Sequence, residues 1–242
     1  MRSSDLLVQL RERVVFLEES GVYGLSSFPS TAPSSQVVVP SFPTRGPAVA
    51  CSDDPERDLA DLRVEIGDCT RCRLCEKRTQ VVFGVGNPRA DLMFVGEGPG
   101  YEEDRQGKPF VGKAGQLLNR IIQAMDMSRD EVYIANVVKC RPPENRTPLP
   151  DETSTCSPFL FRQIAIIRPR IVCALGGVAV QTLLQTSTPV SRLRGELRSL
   201  PDGTPVMPTF HPAYLLRNPE KKKEVWEDMK KVMEHLSRAS RP

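Results

Sequence analysis

Hydrophobic and polar positions along this chain follow two different periods. Short apolar runs rich in β-forming residues occupy 91–95 (DLMFV), 132–138 (VYIANVV), 171–175 (IVCAL) and 206–210 (VMPTF). Between and after them, apolar residues recur at the spacing of a one-faced helix over 114–126, 151–167, 177–185 and 219–238. Strands alternating with helices predict βαβ units and an α/β fold, with a mainly parallel sheet covered by helices on both faces. Such sheets bind ligands beyond the carboxyl ends of their strands. That rule directs attention to 96–104, 136–140, 176–177 and 211–212.

Upstream the pattern changes. Within residues 1–20 the stretch DLLVQLRERVVFLEES predicts a short amphipathic helix, a docking element for a protein partner. Residues 21–55 are rich in Ser, Pro, Val and Thr and keep no period. Proline fixes φ and removes amide donors, so a flexible linker is expected there. The folded domain is then residues 56–242. No run of about 18 apolar residues occurs, so no spanning helix is expected, and no secretory leader is evident. A formal charge of +3 permits contact with nucleic acid without demanding it.

The first strand runs into Gly96-Glu-Gly-Pro-Gly-Tyr-Glu-Glu-Asp104. This is half of a dinucleotide fingerprint, but the third glycine is missing and Pro99 interrupts the turn. Gly107 to Lys113 imitates a phosphate loop, yet Ala114 replaces the hydroxyl residue that would hold magnesium. Glu102, Glu103 and Asp104 would repel a diphosphate. They suit a neutral ligand, or a site where positive charge develops. The plainer reading is a tight turn that needs glycine and does no chemistry.

Seven cysteines without an export signal fit reduced thiols, some of them binding metal. Cys69 and Cys72 form a C-x-x-C pair among polar residues, with Cys140 and Cys156 downstream. Four thiolates suit zinc or a [4Fe–4S] cluster, and spacing does not separate the two. It also leaves open whether Cys72 or Cys75 is the ligand. Cys173, inside IVCAL, reads as a small buried hydrophobe, and Cys51 falls in the expected linker.

Three polar or aromatic residues stand at strand ends or in the glycine loop. His211 ends the strand VMPTF, and Asn136 interrupts an apolar strand. A buried amide must find partners, either as a backbone cap or on a planar ligand such as a base. Phe110 sits in Gly107-Lys-Pro-Phe-Val-Gly112 as a plug or a stacking platform.

Together, G96-EGPG-YEED104, GKPFVGKAGQLL118, N136-VVKCRPPENR-TPLP150 and H211-PAYLLRNP219, with the four cysteines, resemble the family 4 (iron–sulfur) uracil-DNA glycosylases over roughly residues 65–220. The resemblance implies a three-layer α/β/α sandwich around a central four-stranded sheet, and a [4Fe–4S] cluster on Cys69, Cys72, Cys140 and Cys156. It further implies a monomer, cytoplasmic and nucleoid-associated, that hydrolyses the bond between uracil and deoxyribose in single- or double-stranded DNA. Phe110 would stack on the base, Asn136 would read its edge, and amides near Gly98 would approach it. His211 would donate to the uracil O2, and Glu103 would line the pocket. Tyr214, Leu215 and Arg217 would press into the DNA minor groove, and Arg141 and Arg146 would meet phosphates. The wider superfamily places an aspartate where this chain has Gly98, which leaves Glu97 and Glu103 as candidates to activate water. The segment after Asn136 lacks the basic, histidine-bearing insertion of a branch that traps DNA covalently. Two other readings stay open: a non-catalytic nucleic-acid-binding module, and a zinc protein of the same fold.

Overall fold

The structure, a computed structural model, describes residues 52–238. The helix expected within 1–20 and nearly all of the linker lie outside the described residues. In chain order the elements are α1 (Pro55–Ile66), β1 (Val85–Gly86), β2 (Leu92–Gly96), α2 (Tyr101–Gln106), α3 (Lys113–Ala124), β3 (Tyr133–Asn136), α4 (Pro150–Ile167), β4 (Ile171–Leu175), α5 (Gly177–Leu184), α6 (Val190–Leu193), β5 (Arg198–Ser199), β6 (Pro205–Thr209), α7 (Pro212–Arg217) and α8 (Lys222–Arg238).

The sheet has six strands in the order β1-β3-β2-β4-β6-β5. The expected four form its parallel centre, and two-residue antiparallel strands close each edge. All of β2 and β4 is buried, as parallel strands covered on both faces must be. Their side chains divide by parity. Met93, Val95, Val172 and Ala174 pack with α1, α4 and α5. Leu92, Phe94, Ile171 and Cys173 pack with α3, α7 and α8 on the other face. This is the three-layer sandwich. Among the described residues no helix is long and apolar enough to cross a membrane.

Helix α1 has no counterpart among the expected elements. Its apolar contacts are sparse (Leu59, Leu62, Ile66), and local signals start it. Asp54 accepts from the Arg57 amide at 3.2 Å, Pro55 opens the first turn, and Glu56 and Asp58 favour the helix N-terminus.

The chain leaves β2 toward β3 on one side, whereas β4 leads to β6 on the other. That reversal opens a crevice beyond the carboxyl ends of β2 and β4. The loops after β2, β3, β4 and β6 surround it, and they carry the residues singled out from the sequence.

Candidate active site and cysteine pocket

Gly96 ends β2 opposite Asn136, which ends β3. A Cβ at Gly96 would lie 2.5 Å from Asn136 Oδ1 and 2.6 Å from Phe110 Cζ. Three residues distant in sequence thus meet at one point, and glycine is the residue that lets them. Phe110 is 6% exposed and holds φ = 53°, a strained value for an aromatic residue. Its surroundings enforce that value. Gly115 lies so close that a Cβ there would fall 1.9 Å from the Phe110 carbonyl oxygen. Arg129 bridges the Pro109 carbonyl (2.5 Å) and Asn119 (2.7 Å). Glu103 accepts from the amides of Val111 and Gly112 at 3.0 and 2.9 Å.

His211 follows β6 and caps α7. Its ring stacks on Phe110 with centroids 5.5 Å apart and planes 30° apart. Its Nδ1 accepts from the Ala213 amide at 3.1 Å, so the proton of the neutral ring sits on Nε2, free to donate. Burial, with Arg217 nearby, lowers the His211 pKa to about 4, against a weaker opposing pull from Glu103. The imidazole is therefore neutral near pH 7. Asn136 is 2% exposed, and its Oδ1 is buried without a hydrogen-bond partner. Buried polar atoms are rarely left so, and this one faces the crevice beside Phe110.

The acids of the glycine loop divide their work. Asp104 is buried and accepts from the Thr79 amide (2.9 Å) and hydroxyl (2.7 Å). Glu103 also takes the Gly100 amide at 3.1 Å, so both its oxygens are engaged. It clamps the Phe110 loop through three backbone amides. Glu97 differs: burial raises its carboxyl pKa, opposed by a hydrogen bond with Thr147. A Cβ at Gly98 would strike Val138 Cγ2 at 2.7 Å, so the loop after β3 itself requires a residue without a side chain there.

The expected DNA-facing residues also separate. Arg217 is exposed and Tyr214 half-buried, its ring against Phe210 at 5.0 Å. Leu215 is 1% exposed and packs into the core, so it cannot press into DNA; its neighbour Leu216 is 42% exposed. Arg146 is bound to Glu152 through two hydrogen bonds of 2.8 and 2.6 Å, and Glu152 is fully buried. It is a structural cation rather than a free phosphate contact. Arg141 bonds Asn145 at 2.7 Å and lies 5.1 Å from the centre of the exposed Tyr101 ring.

Cys69, Cys72, Cys140 and Cys156 line one pocket with Lys139 and Phe159. Cys75 is absent from that lining, which separates it from Cys72, and Cys173 lies in the sheet. Three N–H groups point at the sulfurs: Arg71 to Cys69 (3.4 Å), Arg78 to Cys140 (3.4 Å) and the Lys139 amide to Cys156 (3.3 Å). Burial pushes the Cys140 thiol up to about 12 and raises those of Cys72 and Cys156. As bare thiols these groups stay protonated, and ionising them takes a bound cation. Among the described residues no three His, Cys, Asp or Glu side chains converge tightly enough for a single ion.

Phe110, Asn136 and His211 thus come together beyond the carboxyl ends of the strands, in an α/β/α frame that also carries a thiol pocket. The family model described as the uracil DNA glycosylase superfamily matches residues 83–230. A type-4 uracil-DNA glycosylase of Thermotoga maritima is 46% identical over 173 residues, 70% of this chain and 90% of that protein. Those of Sulfurisphaera tokodaii and Archaeoglobus fulgidus are 42% and 40% identical, covering 84% and 92% of their own lengths. The chain belongs to the uracil DNA glycosylase superfamily, in its type-4 branch.

Proposed function

We propose that this protein extrudes uracil from DNA and hydrolyses its N-glycosidic bond, releasing free uracil and leaving an abasic site. The observation that carries the reading is the unpartnered Asn136 Oδ1 beside the Phe110–His211 pair. Uracil offers an N3–H donor flanked by two carbonyl acceptors. Asn136 Oδ1 would accept from N3–H while its amide nitrogen donates to O4, and Phe110 would take the ring face.

In the reaction the C1′–N1 bond breaks, and its electron pair leaves with the base. The negative charge spreads onto O2, where the His211 Nε2–H donates. A well-aimed donor at a developing anion is worth roughly 3–4 kcal/mol. A water oxygen then bonds C1′ and loses its proton, for which Glu97 is the available carboxylate. Arg141 and Arg217 would contact phosphates, and Leu216 would fill the space the base leaves.

The four thiols lining one pocket can hold a [4Fe–4S] cluster. The N–H groups aimed at three sulfurs are the surroundings an anionic thiolate centre needs. When bound, the cluster supplies a covalent staple between the 69–72 turn, the end of the β3 loop and α4.

The test uses the full-length, iron-loaded protein and an oligonucleotide with one deoxyuridine. Free uracil and an alkali-labile site are expected. DNA binding without uracil release would favour the non-catalytic module instead.

A further inference from the structure

Lys139 is 1% exposed and lines the cysteine pocket. Its ammonium donates to the Asn136 carbonyl at 2.8 Å and to Gln163 Oε1 at 2.6 Å. Gln163, itself fully buried, is held in turn by the Phe83 carbonyl at 2.9 Å. Both acceptors on the ammonium are neutral. Among the described residues no ion pair joins it to a carboxylate, and the residue's own backbone amide donates to Cys156 Sγ at 3.3 Å. Buried charges are costly unless an opposite charge lies near, and carboxylates usually supply it. Here the available source of negative charge is the set of four sulfurs.

We propose that Lys139 is the counter-cation of an anionic, thiolate-held centre and, through the Asn136 carbonyl, ties the base-reading amide to that centre. The inference rests on the [4Fe–4S] reading above. Four thiolates on a 2+ cluster would leave a net charge of two minus, enough to balance Lys139 and Arg78. Lys139 is then a positioning residue. It fixes where β3 ends, and so where the Asn136 side chain starts. It also links two sites that no substrate atom joins.

The experiment compares the full chain with Lys139→Met, Lys139→Arg and Gln163→Glu. Iron and sulfide content, thermal unfolding, the reduction potential by protein-film voltammetry and single-turnover uracil release are measured for each. Removing a nearby positive charge makes electron uptake by the centre harder, so Lys139→Met shifts the potential to more negative values. It also slows uracil release by about tenfold, the usual scale for losing an outer-shell partner. Lys139→Arg keeps the charge and returns the potential toward wild type, which a purely structural role would not do. Gln163→Glu places a carboxylate against the ammonium and shifts the potential negative with the lysine present, so it decides the matter if Lys139→Met does not retain iron. Potentials equal to wild type in Lys139→Met and Gln163→Glu at equal iron content overturn the proposal and leave the glycosylase reading standing. A wild-type protein without iron and sulfide overturns the cluster reading itself.

Discussion

Phe110 and His211 stack with their ring centroids 5.5 Å apart. A third ring between them would need about 7 Å, twice the contact distance of carbon atoms. In the proposed complex the base would lie on Phe110 alongside His211, with the imidazole at its edge, where a hydrogen-bond donor is useful. The Ala213 amide at 3.1 Å from Nδ1 completes the arrangement by leaving the proton on Nε2.

For His211→Ala we expect a 10²–10³-fold loss in single-turnover uracil release with little change in DNA affinity. Its pKa of about 4 also sets the pH response. The imidazole stays neutral from about pH 5 to 8, so titration of His211 causes no fall in rate across that range. The unfolded chain binds the proton near the ordinary histidine value of 6.5, the folded chain only near 4. Stability is thus highest above about 6.5 and declines as pH falls toward 4. Thermal melts across this window check the sign.

Glu97 and Glu103 should separate cleanly. Glu97→Gln is expected to lower the rate with a small change in melting temperature. In wild type the acid-side fall in rate should lie above the ordinary carboxylate range, because burial raises the Glu97 pKa. Glu103→Ala frees three backbone amides and should lower both stability and uracil affinity. Rate profiles and melts on both variants give the comparison.

Arg146→Ala leaves buried Glu152 with the Leu149 amide and the more distant Arg73, 3.9 Å away. A loss of roughly 2–3 kcal/mol in denaturant unfolding is expected, below the range for a fully buried pair because the guanidinium is partly exposed. Arg141→Ala should instead leave stability unchanged, weaken DNA binding and reduce the salt dependence by about one unit of slope.

Adjacent leucines test which side of α7 meets DNA. Leu215→Ala should cost about 2–5 kcal/mol of stability, as a buried leucine does. Leu216→Ala should fold normally and release uracil more slowly from duplex than from single strands, since only a duplex must be held open. Paired melts and rates on both substrates check this.

Much of this was legible in the sequence. Four runs of β-forming residues gave the parallel centre of the sheet, because buried parallel strands are apolar throughout. Phe110, Asn136 and His211 were visible because each breaks its local pattern. The edge strands were not, being two residues long and held by neighbours rather than by propensity. Gly96 and Gly115 could not be separated from ordinary turn glycines, since their reason is a contact with distant Phe110. The inward aim of Leu215, the clamp role of Glu103 and the burial of Lys139 depend on what α3, the Phe110 loop and Gln163 bring near them. Residue type alone carries none of that.

The central claim is that Asn136 reads the uracil edge within the Phe110–His211 site. Single-turnover release from a saturating deoxyuridine oligonucleotide, wild type against Asn136→Ala at equal iron content, tests it most directly. A fall of about 10²-fold or more with unchanged DNA affinity is predicted; equal rates would contradict the account.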